Sequence, residues 1–211
     1  MPTVTPQSDE ATPKYPRAEL EAMVEKWLEA NRRAEAEGDW VKHLGPCYTD
    51  DAEYRWTVGP GEEFVARSRK EIEDWAIGVQ MAGFEGWEYP YERILIDEFK
   101  GEVVGFWRQV SPFRRKDGTR IEVPGIGGSW FRYGGDGKWS WQRDFFDLMS
   151  VFAALSEINA QGDLHPEIAA KIAKMARGVP LEGHERVRPP LGLRDRLKQG
   201  AALAKVAIFG R

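Results

Sequence analysis

The chain has 211 residues and a mass of 24.0 kDa, enough for one ordinary domain with an extension or for two small ones at most. A formal net charge of −4 and a pI near 5.6 give no overall electrostatic reason to bind nucleic acid, and 42% hydrophobic residues suffice for a sizeable core. The single cysteine, Cys47, excludes an intramolecular disulfide framework, and no apolar run is long enough to span a membrane.

Residues 1–16 carry Pro2, Pro6, Pro13 and Pro16 among polar neighbours and lack an apolar signal core, so a flexible tail on a cytoplasmic protein is expected. Leu20, Met23, Val24, Trp27, Leu28 and Asn31 then recur at helical spacing, which predicts an amphipathic helix over 17–37 ending at Gly38. A short helix around Trp40 to Tyr48 leads into the alternating run Ala52 to Val58, a first strand that stops at Gly59-Pro60-Gly61. Ser68 followed by Glu71 forms a capping box, and Ile72, Trp75, Ala76 and Val79 supply the stripe of a helix over 69–81 before Gly83.

Strand signals follow at Glu88 to Asp97, Glu102 to Ser111, Arg120 to Val123, Gly128 to Tyr133 and Lys138 to Phe146. Turn chemistry separates them at Lys100-Gly101, Lys116-Asp117-Gly118 and Gly134-Gly135-Asp136-Gly137. Helices first and an antiparallel meander afterwards define an α+β protein, with helices on one face of a curved sheet and Gly125, Gly127 and Gly128 able to bend it.

The most informative stretch is Trp139-Ser140-Trp141-Gln142-Arg143-Asp144-Phe145-Phe146-Asp147-Leu148. A half-buried aromatic strand seldom carries a carboxylate in its middle without a partner, because burying an unpaired charge costs several kcal/mol. Asp144 is therefore the first candidate for chemistry. Five of nine tryptophans, Trp56, Trp107, Trp130, Trp139 and Trp141, fall in the strand-rich part, consistent with a bulky core or an aromatic-lined pocket.

The order of elements, with Cys47-Tyr48-Thr49-Asp50-Asp51-Ala52 before strand one and Asp136-Gly137-Lys138 before Arg143-Asp144-Phe145-Phe146-Asp147, resembles the SnoaL-like group of the nuclear-transport-factor-like cone fold over residues 18–150. The last strand is similar to that of limonene-epoxide hydrolase, whose Trp-Arg-Asp-Tyr-Phe-Asp-Leu run carries the catalytic carboxylate. That resemblance places the carboxylate at Asp144, its arginine partner at Arg108 and a water-holding tyrosine at Tyr54. It breaks at Val110 and Trp56, where the hydrolase has its second aspartate and its water-anchoring asparagine. The base of ketosteroid isomerase also maps close to Trp56. His43, His165 and His184 lie outside the predicted strands, against the histidine-centred mechanisms of other cone enzymes.

Strand parity extends this into a pocket. If Asp144 faces the cone interior, Gln142 and Phe146 go with it, while Arg143 and Trp141 face away. The same reasoning groups Tyr54 with Trp56, and Phe106 with Arg108 and Val110. Burial would raise the Asp144 pKa and Arg108 would hold it down, and the sequence leaves open which prevails. The expected site is thus catalytic Asp144, Arg108 and Tyr54, with substrate-binding Trp56, Phe106, Val110, Gln142, Phe146 and Trp130.

Beyond the expected cone domain at 17–150, residues 151–211 read as a helical extension. Leu148, Val151, Phe152, Leu155 and Ile158 continue as one helix, and Ile168, Ile172 and Met175 mark another closed by Gly178. Residues 179–192 read as a connector, followed by a basic amphipathic stretch from Leu193 to Arg211. No metal triad, phosphate loop or nucleophile elbow is present as a motif. The function expected is a cofactor-independent enzyme acting by acid/base chemistry on a hydrophobic, aromatic small molecule, of lyase or dehydratase type. Epoxide-hydrolase-like water addition and a non-catalytic binding module are the alternatives. A homodimer is expected through an outer sheet face carrying Trp107, Trp139 and Trp141.

Overall fold

A computed structural model describes residues 12–59 and 61–189 together with 192, 194, 195, 197, 198, 200 and 202. Helix α1 (Arg17–Glu37) ends where Gly38 adopts a left-handed conformation and donates its N–H to Ala34 O. Its stripe of Leu20, Met23, Val24, Trp27 and Ala34 is buried against the sheet. Helix α2 (Trp40–Leu44), capped by Asp39, passes through a short 3₁₀ turn (Gly45–Cys47) into β1 (Tyr48–Gly59). Strand β2 (Glu62–Ala66) forms a hairpin with β1 that the sequence pattern did not disclose. Ser68 caps α3 (Arg69–Glu71), which continues without a break as a π-helix (Ile72–Val79).

The remaining strands are β3 (Tyr91–Asp97), β4 (Glu102–Trp107), β5 (Val110–Arg114), β6 (Arg120–Glu122), β7 (Gly127–Gly135) and β8 (Lys138–Phe145). Two helices follow, α4 (Leu148–Gln161) and α5 (Pro166–Ala176), and then β9 (His184–Arg186). The main sheet has the order β3-β4-β7-β8-β1-β2-β9, and β5 with β6 forms a separate ribbon. All pairs are antiparallel except β1 with β8, which run parallel and join the two halves of the sheet. The curved sheet wraps the inner face of α1, α2 and the π-helix, giving the expected α+β cone. A second apolar cluster forms where α4 packs on Trp87, Ile121 and Val123.

Residues 179–192 are not merely a connector, since β9 extends the sheet beyond β2. The tail is described only from residue 12, where Lys14 and Tyr15 N–H groups reach Glu98 O and the Tyr15 ring meets Tyr133 edge-on. Most of the basic stretch from 193 lies outside the described residues. No helix among the described residues is long and apolar enough to cross a membrane.

Two strand parities differ from expectation. In β4 the buried set is Val103, Gly105 and Trp107, so Phe106 and Arg108 lie on the opposite side. In β8 a register break at Ser140 brings both Trp139 and Gln142 to the inner face. Trp139 is fully buried and Trp107 nearly so, leaving only Trp141 of the three tryptophans expected on an outer, pairing surface. Trp141 donates to Glu53 and lies under the Arg132 guanidinium. Gly127 is required because a side chain there would collide with the Trp107 ring.

The corrected parity makes a direct prediction. Trp139→Ala should cost about 3–5 kcal/mol by urea denaturation and Trp141→Ala less than about 1.5 kcal/mol. Equal losses would contradict the break at Ser140.

Candidate active site

Asp144 lies on the inner face of β8 and is 9% exposed. Sheet register sets Ser129 of β7 on one side of it and Trp56 of β1 on the other. Ser129 Oγ and Gln142 Nε2 donate to Asp144 Oδ1 at 2.6 and 2.7 Å, and the Tyr54 hydroxyl donates to Oδ2. These donors are themselves held. Trp107 Nε1 donates to Ser129 Oγ at 2.9 Å, and the Tyr48 hydroxyl donates to Gln142 Oε1.

Every group bonded to Asp144 is neutral, and among the described residues no arginine or lysine acts on it. Burial therefore dominates and pushes the carboxyl from its ordinary 3.8 up to about 6, while the bonds from Gln142, Ser129 and Tyr54 pull it back only in part. Burial, reinforced by the Asp144 charge, drives the Tyr54 and Tyr48 phenols well above 10. Both tyrosines remain hydrogen-bond donors at neutral pH.

Two cavities meet at this carboxylate. The outer one, about 190 Å³, runs from Asp144 and Tyr54 between apolar walls to the helices α4 and α5. Trp56, stacked on Phe64 with ring centroids 3.6 Å apart, forms one wall and Trp107 with Phe146 another. Phe152 and Leu155 of α4 and Ile172 and Met175 of α5 roof it. The inner cavity, about 90 Å³, lies behind Asp144 and is bordered by Asn31, Tyr48, Tyr91 and Gln142.

Of the residues expected here, Asp144, Tyr54, Trp56, Gln142 and Phe146 are brought together. Arg108 is not. Its side chain is 40% exposed and forms a two-pronged pair with Glu122 at 2.5 and 2.7 Å, because the inward parity of β4 belongs to Trp107 and Gln109. Phe106 meets Phe145 on that same far side. Val110 is buried but borders neither cavity, since it has left the main sheet to pair with Glu122 and Glu88. Trp130 faces outward, donating to Glu102 and packing edge-on against Trp141.

Ser129, Tyr48, Gln109, Lys171 and His184 belong to the site and went unrecognised in the sequence, and Trp107, expected on the outer sheet face, lines both cavities instead. Ser129 had a readable signal, a polar residue alternating with Phe131 and Tyr133 on the inner face of β7. His184 had none, although it borders the outer cavity from β9. No group of three or more His, Cys, Asp or Glu side chains is placed to hold a metal ion among the described residues.

No protein-family model and no curated protein matches the sequence. Solved structures that resemble the fold include an LEH-like epoxide hydrolase from M. tuberculosis, 20% identical, covering 66% of this chain and 91% of that one with a TM-score of 0.47. An NTF2-like protein from Anabaena variabilis is 18% identical over 64% of this chain and 93% of its own, with a TM-score of 0.48. A SnoaL-like polyketide cyclase candidate from Jannaschia sp. CCS1 is 19% identical over 62% and 91%, with a TM-score of 0.44. At such identities and superpositions, the chemistry of the pocket has to be read from its own residues.

The raised carboxyl pKa has a thermodynamic consequence. The folded state binds the Asp144 proton more tightly than the unfolded chain, so this contribution is fully present below pH 4 and lost as pH rises through about 6. Asp144→Asn should therefore stabilise the fold at pH 7 by on the order of 2 kcal/mol. The gain should vanish below pH 4 in paired denaturation curves.

Proposed function

We propose that the protein is a cofactor-independent enzyme that moves a proton on a hydrophobic, aromatic small molecule, with Asp144 as the proton-transferring group. The observation that carries this reading is a buried carboxylate with a pKa near 6 and no neutralising cation among the described residues, at the floor of an apolar cavity. A structural ion pair would have a cation and a depressed pKa. Asp144 has neither.

An elimination of lyase or dehydratase type uses these groups most fully. Asp144 takes a proton from a carbon acid, the C–H electrons become the new double bond, and the leaving oxygen departs from the adjacent carbon. The carboxylic acid so formed returns its proton to that oxygen, which regenerates the carboxylate and releases water or an alcohol. Gln142 and Ser129 hold Oδ1, leaving Oδ2 with Tyr54 as the edge at which substrate and hydroxyl meet. Tyr54 supplies a hydrogen bond to developing negative charge and is too weak an acid to give up its proton outright.

The inner cavity favours water addition as the second reading, because Asn31, Tyr48, Tyr91 and Gln142 on its otherwise apolar border offer partners for water beside Asp144. Aryl β-hydroxy ketones and aryl epoxides offered in ¹⁸O-labelled water separate the two. Elimination leaves the organic product unlabelled, whereas water addition places the label in it.

With the active substrate, kcat/KM should rise through pH 6 to a plateau, and Asp144→Asn should lose about 10²- to 10⁴-fold in kcat while ligand affinity survives. Tyr54→Phe removes a donor to the carboxylate and should shift the rise to higher pH. Unchanged turnover in Asp144→Asn would leave the pocket as a binding site only.

A further inference from the structure

The outer cavity has two chemically different ends. Asp144 lies at the floor, while the end formed by α5 and β9 carries Lys171, Gln80 and His184. Lys171 is the only lysine or arginine among the described residues bordering this cavity. Its Nζ donates to Val79 O at 3.1 Å, Gln80 O at 2.8 Å and Ala82 O at 2.7 Å. Three carbonyls use its three N–H bonds and fix its place without cancelling its charge. No carboxylate among the described residues bonds to it; Glu167 and Glu85 act on it only through space. The Phe84 ring, 5.2 Å away, shields it further from water. The Gln80 amide reaches His184 Nε2 at 3.5 Å, so the same residue touches both basic groups.

We propose that this end of the cavity recognises a carboxylate carried by the apolar substrate at the end remote from Asp144. A fixed, unneutralised ammonium bordering a low-dielectric cavity attracts an anion more strongly than it would in water. Gln80 and His184 add hydrogen-bonding groups at the same place, and the Asp144 charge disfavours the reverse orientation. The substrate is then an aromatic or otherwise apolar acid, held by its carboxylate while its reacting carbon lies at Asp144. This rests on the outer cavity being the substrate site of the proposed acid/base reaction.

Lys171, pushed down by burial to about 8, provides an independent readout. A carboxylate placed beside it raises that value, so the complex takes up protons at pH 8. The groups sharing this surrounding are His184, also lowered by burial, Glu85 and Glu167, with Asp144 at the far end.

Biphenyl-4-carboxylate and its neutral carboxamide, compared by calorimetry, test the proposal. The carboxylate should bind about tenfold tighter at pH 7, the preference falling to near unity in Lys171→Met and surviving in Lys171→Arg. In the Asp144→Asn background, buffers of different ionisation enthalpy should reveal proton uptake at pH 8 with the carboxylate and none with the carboxamide. Equal affinities in the unaltered protein, a preference indifferent to Lys171→Met, or binding without proton uptake would each overturn it. Retained turnover in Asp144→Asn alongside a carboxylate preference would sink the acid/base reading alone. Lost turnover with equal affinities would sink this one alone.

Discussion

Everything around Asp144 is arranged to keep an ionisable carboxyl out of water without giving it a cation. Removing a carboxylate from water costs several kcal/mol, and an arginine beside it would offset that at the expense of its basicity. Here the compensation comes from the Tyr54, Ser129 and Gln142 side chains alone, two of them held by further bonds from Trp107 and Tyr48. Those five residues come from β1, β4, β7 and β8, so the curvature that brings four strands to one carboxylate is a condition of the site. Asp147, three residues later, shows the opposite outcome. It caps α4 at the surface, where bonds from Ser150 and Met149 hold it below the usual range.

Much of this was legible because some signals are local and others depend on a single pairing. Helix α1 announced itself by its stripe, Ser68 with Glu71 by capping chemistry, and Asp144 by its aromatic surroundings. Tyr54 and Asp144 were joined by the resemblance to a cone fold and are hydrogen-bonded in the structure. Parity was the weak point, since a period of two is inverted by one residue. Over residues 103–110 the sets Val103, Gly105, Trp107 and Phe106, Arg108, Val110 look equally able to face inward, and the structure buries the first, with the Trp107 ring close against Gly127. The break at Ser140 has no local signature. Strands β2 and β9, five and three residues long, are too short for alternation to declare itself.

The helices after β8 complete the pocket rather than adorn it. Residues of α4 and α5 roof the outer cavity, and His184 closes it from the sheet edge. Little of α5 is buried beyond Ile168, so its attachment relies on a few apolar contacts and on the Lys171 bonds to the end of the π-helix. A cavity built from two remote stretches of chain presents a hydrophobic body with different chemistry at each end.

The parallel pairing of β1 with β8 also shapes how the molecule is made. Tyr48 and Tyr54 meet partners 94 and 90 positions further along the chain, so closing this seam carries a large loop entropy. During synthesis β1 emerges early and waits, with its inner tyrosines unsatisfied, until the last long strand arrives. The carboxylate and its donors are thus kept apart until β8 has been made, and the roof from α4 and α5 and the edge strand β9 are made later still.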